Sequence, residues 1–101
     1  MKIPSATEMQ LLALVSACER SGREVAALYE DETGSKISYG TLYTTFRRLK
    51  DFGWVEARDD EDEDGRVRFF QTTGLGRQAL DEARSYYQSL SVFGLSEGRA
   101  A

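Results

Sequence analysis

The sequence predicts a mainly helical α+β fold, and three observations carry this prediction. Four stretches of the chain repeat apolar residues at helical spacing, and one pair of shorter stretches alternates in the manner of a β-hairpin. The chain has 101 residues, which is the length of one domain. Hydrophobic residues make up 41% of it and charged residues 30%, a balance that favours a folded globular protein over a disordered one.

Composition also limits the classes of function that the protein can have. The chain has one cysteine, Cys18, and no histidine. A single cysteine excludes an intrachain disulfide framework, and the lack of histidine removes the commonest general base and most zinc ligand sets. The longest apolar stretch, residues 11–15, is far shorter than the roughly 20 residues of a membrane-spanning helix. We therefore expect a cytoplasmic protein that is not an enzyme and holds no metal or cofactor.

The first helix is predicted to begin at Ser5 or Thr7 and to end near residues 21–22. Ser5, with Glu8 three residues later, has the form of a capping box. The apolar face of this helix consists of Leu11, Leu12, Val15 and Cys18. This placement predicts a buried, unreactive thiol at Cys18.

Two further helices follow. The second is predicted over about residues 23–32, and Gly34 can take the left-handed conformation that ends a helix. The third is predicted to be capped by Ser38 and to run to about residue 51. Its inward face consists of Leu42, Phe46 and Leu49, spaced four and three residues apart.

After the third helix the spacing of apolar residues changes from that of a helix to that of β-strands. Residues 54–58 and 66–71 predict two strands of about five residues, joined by an acidic loop over residues 59–64. The loop lacks the spacing and the terminal glutamate of a calcium-binding loop, which favours a solvated segment over a cation site.

A fourth helix is predicted to be capped by Thr73 and to run to Phe93, which leaves residues 94–101 as a flexible tail. This helix carries more apolar surface than the rest of so small a chain can cover, so part of it is interpreted as a dimer surface. The residues assigned to that surface are Leu80, Ala83, Tyr87 and Leu90. Tyr86, Tyr87 and Phe93 either line a ligand pocket or pack in the core or the interface.

The order helix, helix, helix, hairpin, helix is that of a winged helix-turn-helix. The second and third helices form the helix-turn-helix, and the two-stranded β-hairpin is the wing. The predicted organisation is therefore a winged helix-turn-helix DNA-binding domain of three helices plus the wing over residues 1–72, a C-terminal dimerisation helix over residues 73–93, and the tail.

The distribution of charge bears on the partner. The net charge of −4 at first argues against nucleic acid, but six consecutive acids lie at residues 59–64. By contrast, residues 36–50 contain Lys36, Arg47, Arg48 and Lys50 and no acid. The sign of the whole chain is thus set by one short segment.

The outward face of the third helix, over residues 38–51, begins with small hydrogen-bonding residues and continues into bases. A helix with this order can enter the major groove by its N-terminus while its arginines reach bases or phosphates. Strand alternation adds two arginines on one face of the wing. The predicted DNA-binding residues are Lys36, Ser38, Tyr39, Gly40, Thr41, Tyr43, Thr44, Arg47, Arg48, Lys50, Arg66 and Arg68.

One block of residues carries a family resemblance. Gly40-Thr41-Leu42-Tyr43, followed by Phe46-Arg47-Arg48-Leu49-Lys50 and Gly53-Trp54-Val55, closely resembles the PadR-like transcriptional regulators. In that family such a block opens the recognition helix, and the wing leads to a Thr-x-x-Gly pattern that Thr73 and Gly76 match here. The resemblance covers about residues 8–90. It implies a homodimeric repressor of the bacterial cytoplasm and nucleoid that binds double-stranded DNA, with a small aromatic effector at the dimer interface as a further partner.

The wing departs from the family pattern. Phe69 and Phe70 stand where tyrosines are usual, and the tip is acidic, so phosphate would repel it. We expect residues 59–64 to point into solvent or toward another protein, while Arg66 and Arg68 meet DNA. The alternative is a winged-helix protein-interaction module that does not bind DNA. Such a module has no need of the acid-free stretch at residues 35–50.

Overall fold

The computed structural model describes residues 2–63 and 65–100. In chain order the elements are α1 (Ala6–Leu14), β1 (Arg20–Ser21), α2 (Gly22–Thr33), α3 (Tyr39–Asp51), β2 (Val55–Asp62), β3 (Gly65–Thr72) and α4 (Gly74–Ala100). The three strands pair in an antiparallel sheet in the order β1-β3-β2. The predicted mainly helical α+β fold, with a helix-turn-helix followed by a wing, is confirmed.

Local capping fixes where α1 and α2 begin. The hydroxyl of Ser5 accepts a hydrogen bond from the backbone N–H of Glu8 at 3.2 Å, and the Glu8 carboxylate accepts one from the Ser5 N–H at 2.8 Å. Ser21 and Glu24 form a second box of the same kind, with distances of 3.2 and 3.0 Å. Each box satisfies two N–H groups that the helix itself leaves unpaired, so both helices have defined starts.

The end of α1 differs from its prediction, since the helix ends at Leu14 rather than near residues 21–22. The carbonyls that would continue it are engaged elsewhere. The Thr72 N–H donates to the Val15 carbonyl at 3.0 Å, and the Thr72 hydroxyl donates to the Leu12 carbonyl at 2.8 Å. The Arg20 side chain donates to the Leu14 carbonyl at 2.8 Å. The next stretch is therefore free to form β1.

The segment between α1 and β1 corrects one further prediction. Cys18 lies outside the helix and is exposed, so the predicted buried thiol is wrong. Strand β1, which the sequence did not predict, pairs Arg20 with Phe70 and Ser21 with Phe69. The same serine then caps α2, so the strand leads directly into the helix-turn-helix.

Helices α2 and α3 lie within a residue of their predicted bounds. Gly34 ends α2 in the left-handed conformation, with φ of 74°. The Ser38 hydroxyl accepts from the Thr41 N–H at 3.1 Å and so caps α3. Both signals are local, which explains why the sequence alone located these helices.

The wing strands are eight residues long, not five, and the predicted acidic loop is wrong for most of its length. Residues 59–62 belong to β2, and Asp64 lies outside the described residues. The register pairs Asp59 with Arg68, Asp60 with Val67, Glu61 with Arg66 and Asp62 with Gly65. Opposite charges facing each other across two strands stabilise the pairing, and this extends the ladder into the acidic segment.

The core lies between the helices and the inner face of the sheet. Its buried apolar residues are Leu11, Leu12, Leu14, Val15, Val25, Leu42, Phe46, Leu49, Val55, Phe70 and Leu80. Helix α4 begins where predicted: the Thr73 hydroxyl accepts from the Gly76 N–H at 3.0 Å and donates to the Gly53 carbonyl at 2.6 Å. The helix continues to Ala100, beyond the predicted end at Phe93. The flexibility of residues 94–101 stays a prediction.

Helix α4 crosses the segment before β2 at a glycine. A Cβ atom at Gly76 would lie 2.0 Å from the Trp54 carbonyl oxygen and 2.6 Å from the Thr72 side chain. Because a backbone atom is the obstacle, the helix itself would have to move to admit a side chain. Gly76 is therefore required for α4 to pack on the wing.

We expect Gly76→Ala to lower the free energy of unfolding by about 1–3 kcal/mol or more, because the added methyl overlaps backbone. Urea denaturation followed by circular dichroism measures this loss. Gly74→Ala is the matched control, since nothing lies within 4 Å of its Cβ position. Equal stability of the two variants would contradict the close approach.

Candidate nucleic-acid interface

Helix α3 presents the predicted face to solvent. Leu42, Thr45, Phe46 and Leu49 are buried and hold the opposite face against the core. The predicted DNA-binding residues, on α3, before it and on the wing, are all exposed: Lys36, Ser38, Tyr39, Gly40, Thr41, Tyr43, Thr44, Arg47, Arg48, Lys50, Arg66 and Arg68. Exposure is necessary for contact with DNA, and none of these residues fails that condition.

An aromatic stack joins α3 to the wing. The rings of Phe46 and Phe70 lie 4.2 Å apart between centroids and 6° from parallel. Tyr43 packs beside this pair, 5.9 Å from the Phe70 ring, and Tyr39 follows at 6.4 Å from Tyr43. The row of rings ends at the exposed N-terminal part of α3, so the wing and this helix hold a fixed relation to each other.

Tyr43 also contacts α2. The end of the Tyr43 side chain lies close against Gly22, where a Cβ atom would overlap the hydroxyl unless the side chain moved. The hydroxyl therefore reaches the N-terminus of α2. A helix N-terminus carries a partial positive charge and attracts anions.

These elements enclose a cleft of about 500 Å³. It is lined by Ser21, Gly22, Arg23, Tyr39, Tyr43, Arg66, Val67 and Arg68. Four predicted DNA-binding residues from α3 and the wing meet here. Arg23 is a further base at the cleft that the sequence analysis missed. The signal that could have found it is the Ser21–Glu24 capping box, which places Arg23 in the first turn of α2.

The bases on and beside α3 differ in their pairing. Arg48 forms an ion pair with Glu8, with Nε 3.2 Å from Oε2, and Glu8 is only 4% exposed. Within the described part of the chain, Lys36, Arg47 and Lys50 form no ion pair. Arg48 thus ties α3 to the start of α1, whereas the other three present unpaired charges.

Two acids of the wing, Asp59 and Asp60, are paired with its arginines. Arg68 donates from Nε to Asp59 Oδ1 at 2.9 Å, and this hydrogen bond holds the pKa of Asp59 below its usual value and raises that of Arg68. Arg58 pairs with Glu19 and with Asp60 and lies over the Phe69 ring. Asp59 and Asp60 are exposed to solvent and each also pairs with an arginine of this chain, while contact of the acidic segment with another protein stays a prediction.

The predicted dimer residues of α4 divide into two sets. Leu80 and Ala83 are 3% and 0% exposed within this chain, so they pack in its own core rather than on an outer surface. The Tyr87 hydroxyl donates to the Pro4 carbonyl at 3.0 Å. Leu90 is 48% exposed, and Tyr86, four residues earlier, is 47% exposed. The Phe93 side chain lies outside the described residues.

The described residues form neither a membrane-spanning helix nor a cluster of metal ligands. No helix there combines the length and the apolar character that a membrane crossing requires. Nor do three or more acidic or cysteine side chains of that part converge as metal ligands would. Alternation along β2 separates neighbouring acids onto opposite faces of the wing.

Comparison with solved structures shows the same fold in known regulators. A PadR family transcriptional regulator from Eggerthella lenta matches with a TM-score of 0.81 at 23% identity, over 90% of this chain and 79% of that one. A PadR-like transcriptional regulator from Bacillus cereus matches with a TM-score of 0.77 at 19% identity, over 89% and 88%. Bacillus subtilis PadR in complex with operator DNA matches with a TM-score of 0.70 at 20% identity, over 77% of this chain and 47% of that one.

Comparison by sequence is more specific. No curated protein matches the chain. Residues 11–82, however, match the model of the transcriptional regulator PadR-like family. The matched stretch starts within α1 and ends within α4, so it takes in the whole helix-turn-helix and the wing. On this ground the chain belongs to the PadR-like family of transcriptional regulators.

Proposed function

We propose that the protein is a homodimeric repressor that binds operator DNA in a sequence-specific manner, with α3 in the major groove. The observation that carries the proposal is the two-sided character of α3. One face is fixed in the core, and the other presents small residues at its N-terminus and unpaired bases beyond them. A neighbour with the same fold, Bacillus subtilis PadR, has been solved in complex with operator DNA, which supports this use of the fold.

The exposed residues on and beside α3 have different proposed roles. Gly40 and Thr41 leave room for the backbone to approach the groove, and Arg47 has a guanidinium that can pair with a guanine edge or a phosphate. Lys50 and Lys36 are suited to phosphates. The Arg48 guanidinium is already paired with the Glu8 carboxylate. We therefore assign Arg48 first to holding the orientation of α3.

Dimerisation is proposed through the distal part of α4. Tyr86 and Leu90 are exposed and lie one helical turn apart, which gives α4 an apolar stripe beyond its own core contacts. Two recognition helices must lie about 34–36 Å apart to meet successive major grooves, and a pair of helices can set that spacing. The rings of Tyr86 and Tyr87 meet edge to face at 5.4 Å, which supports this stripe as the place for a small aromatic effector.

The alternative, a winged-helix interaction module without DNA binding, is favoured by the acidic wing and the sequence pI of about 4.8. The pairing within the wing weighs against it. Asp59 and Asp60 already have arginine partners in this chain, so less acidic surface is left for another protein. A repressor acts where the DNA is, and we therefore place the protein in the bacterial cytoplasm, at the nucleoid.

Selection of bound fragments from a random DNA pool tests the proposed function. We expect enrichment of a two-fold symmetric site whose halves are centred about 10 base pairs apart, because a symmetric dimer reads a palindrome. An interaction module gives no enriched sequence, and that result would reject DNA binding in favour of the alternative.

Arg47→Gln and Arg48→Gln should show which arginine contacts DNA and which one holds the orientation of α3. We expect Arg47→Gln to weaken operator binding by about 1–3 kcal/mol while leaving the free energy of unfolding within about 0.5 kcal/mol. Arg48→Gln should instead lower that free energy by about 1–3 kcal/mol, since the Glu8 carboxylate loses a charged donor. Fluorescence anisotropy and urea denaturation measure the two quantities. Equal losses of DNA affinity at unchanged stability would show that both arginines contact DNA.

Leu90→Glu should raise the dimer dissociation constant about tenfold or more, because each protomer loses a buried leucine worth about 1.5–3 kcal/mol. Sedimentation velocity over a concentration series measures this change. Gln88→Glu adds the same charge at an exposed position on the other side of α4 and serves as the control. A wild-type protein that stays monomeric at micromolar concentration would contradict the proposed dimer.

A further inference from the structure

The two strands of the wing place acids and arginines directly opposite each other on one face. Asp59 faces Arg68 and Glu61 faces Arg66. Partners across antiparallel strands share a face of the sheet. Arg66 and Arg68 line the cleft with Tyr39 and Tyr43, so Asp59 and Glu61 lie on the face that the proposed DNA would approach.

The contact between Asp59 and Arg68 uses both carboxylate oxygens. Nε donates to Oδ1 at 2.9 Å, and Nη2 lies 3.4 Å from Oδ2. A guanidinium binds two oxygens of a phosphate in the same side-on manner. The carboxylate thus occupies the place on Arg68 that two phosphate oxygens would take.

Asp59 also lies in the field of other bases of the interface. After the hydrogen bond from Arg68, the charges of Arg68, Arg66 and Lys50 each lower the pKa of Asp59 further. The carboxylate is therefore ionised at neutral pH. Asp60, its neighbour in sequence, lies on the opposite face of the wing and pairs with Arg58. Asp60 is therefore a matched control for Asp59.

We propose that Asp59 is an intramolecular competitor for DNA phosphate, which holds Arg68 in the free protein and must be displaced before the wing can bind DNA. This inference rests on the proposed function. The consequence is a lowered affinity for DNA of any sequence. Because this penalty applies to all sequences alike, the contacts of α3 set the ratio of specific to non-specific affinity.

The test uses the full chain and a short duplex of random sequence, with binding followed by fluorescence anisotropy over a salt series. Asp59→Asn should bind this duplex several-fold more tightly than wild type. It should also steepen the slope of log K against log salt by about 0.9 for each wing, because in the wild type the displaced Asp59 carboxylate takes up a cation that offsets the counterion released by the phosphate. Asp60→Asn removes the same charge from the other face and should change the slope little.

Arg68→Gln completes the experiment. In the wild-type background it should weaken binding of the duplex, but by less than in the Asp59→Asn background, since part of the contact energy of the wild-type arginine is used to displace Asp59. In the Asp59→Asn background it should abolish the gain. Urea denaturation of each variant shows whether the wing fold is retained. A measurement without substitution is the Arg68 Nε–Hε resonance of the wild-type protein, which should shift on addition of the duplex while that of Arg58 stays in place.

Three results would overturn the inference. Equal effects of Asp59→Asn and Asp60→Asn, with unchanged slopes, would show that the acids act only through long-range charge. Weaker binding by Asp59→Asn, or an Arg68 resonance that does not move, would show that the ion pair persists in the complex and orders the wing. If neither wild type nor Asp59→Asn binds any duplex even at low salt, the proposed function itself fails, and the inference fails with it.

Discussion

The stacking of Phe46 on Phe70 is the contact on which the candidate interface depends. One ring belongs to the helix that carries the basic face, and the other belongs to the central strand of the sheet, which also pairs with β1 and with β2. Losing a buried aromatic ring costs about 3–5 kcal/mol, a large part of the stability of a domain of this size. The helix and the wing therefore form one rigid surface rather than two independent ones.

The parts of the fold that depend on short-range signals could be predicted from the sequence. Ser38 and the spacing of Leu42, Phe46 and Leu49 located α3, and the exposed face of that helix followed from the same spacing. The end of α1 could not be predicted, because it depends on hydrogen bonds from Thr72, which lies far along the chain. Such contacts leave no periodic signal near the residues they control.

Two other differences have separate physical causes. A run of acids has the composition of a loop, and only the register against Arg66 and Arg68 turns part of it into a strand. Periodicity likewise identifies Leu80 as part of an apolar stripe, but it does not say whether the same chain or a second copy covers that stripe. In this protein Ala79, Leu80 and Ala83 of α4 are covered by the chain's own core, whereas Tyr86 and Leu90, farther along the helix, are exposed.

The crossing at Gly76 gives α4 the mechanics of a lever. The helix has 27 residues, which is about 40 Å of length, and its fulcrum lies in the first turn against the backbone of Trp54. A rotation of about 5° at such a fulcrum displaces the far end by roughly 3.5 Å. At Gly76 the backbone of α4 packs directly on the backbone of Trp54, with no flexible linker between them. A small force applied along α4 therefore tilts the helix against the wing rather than bending a linker.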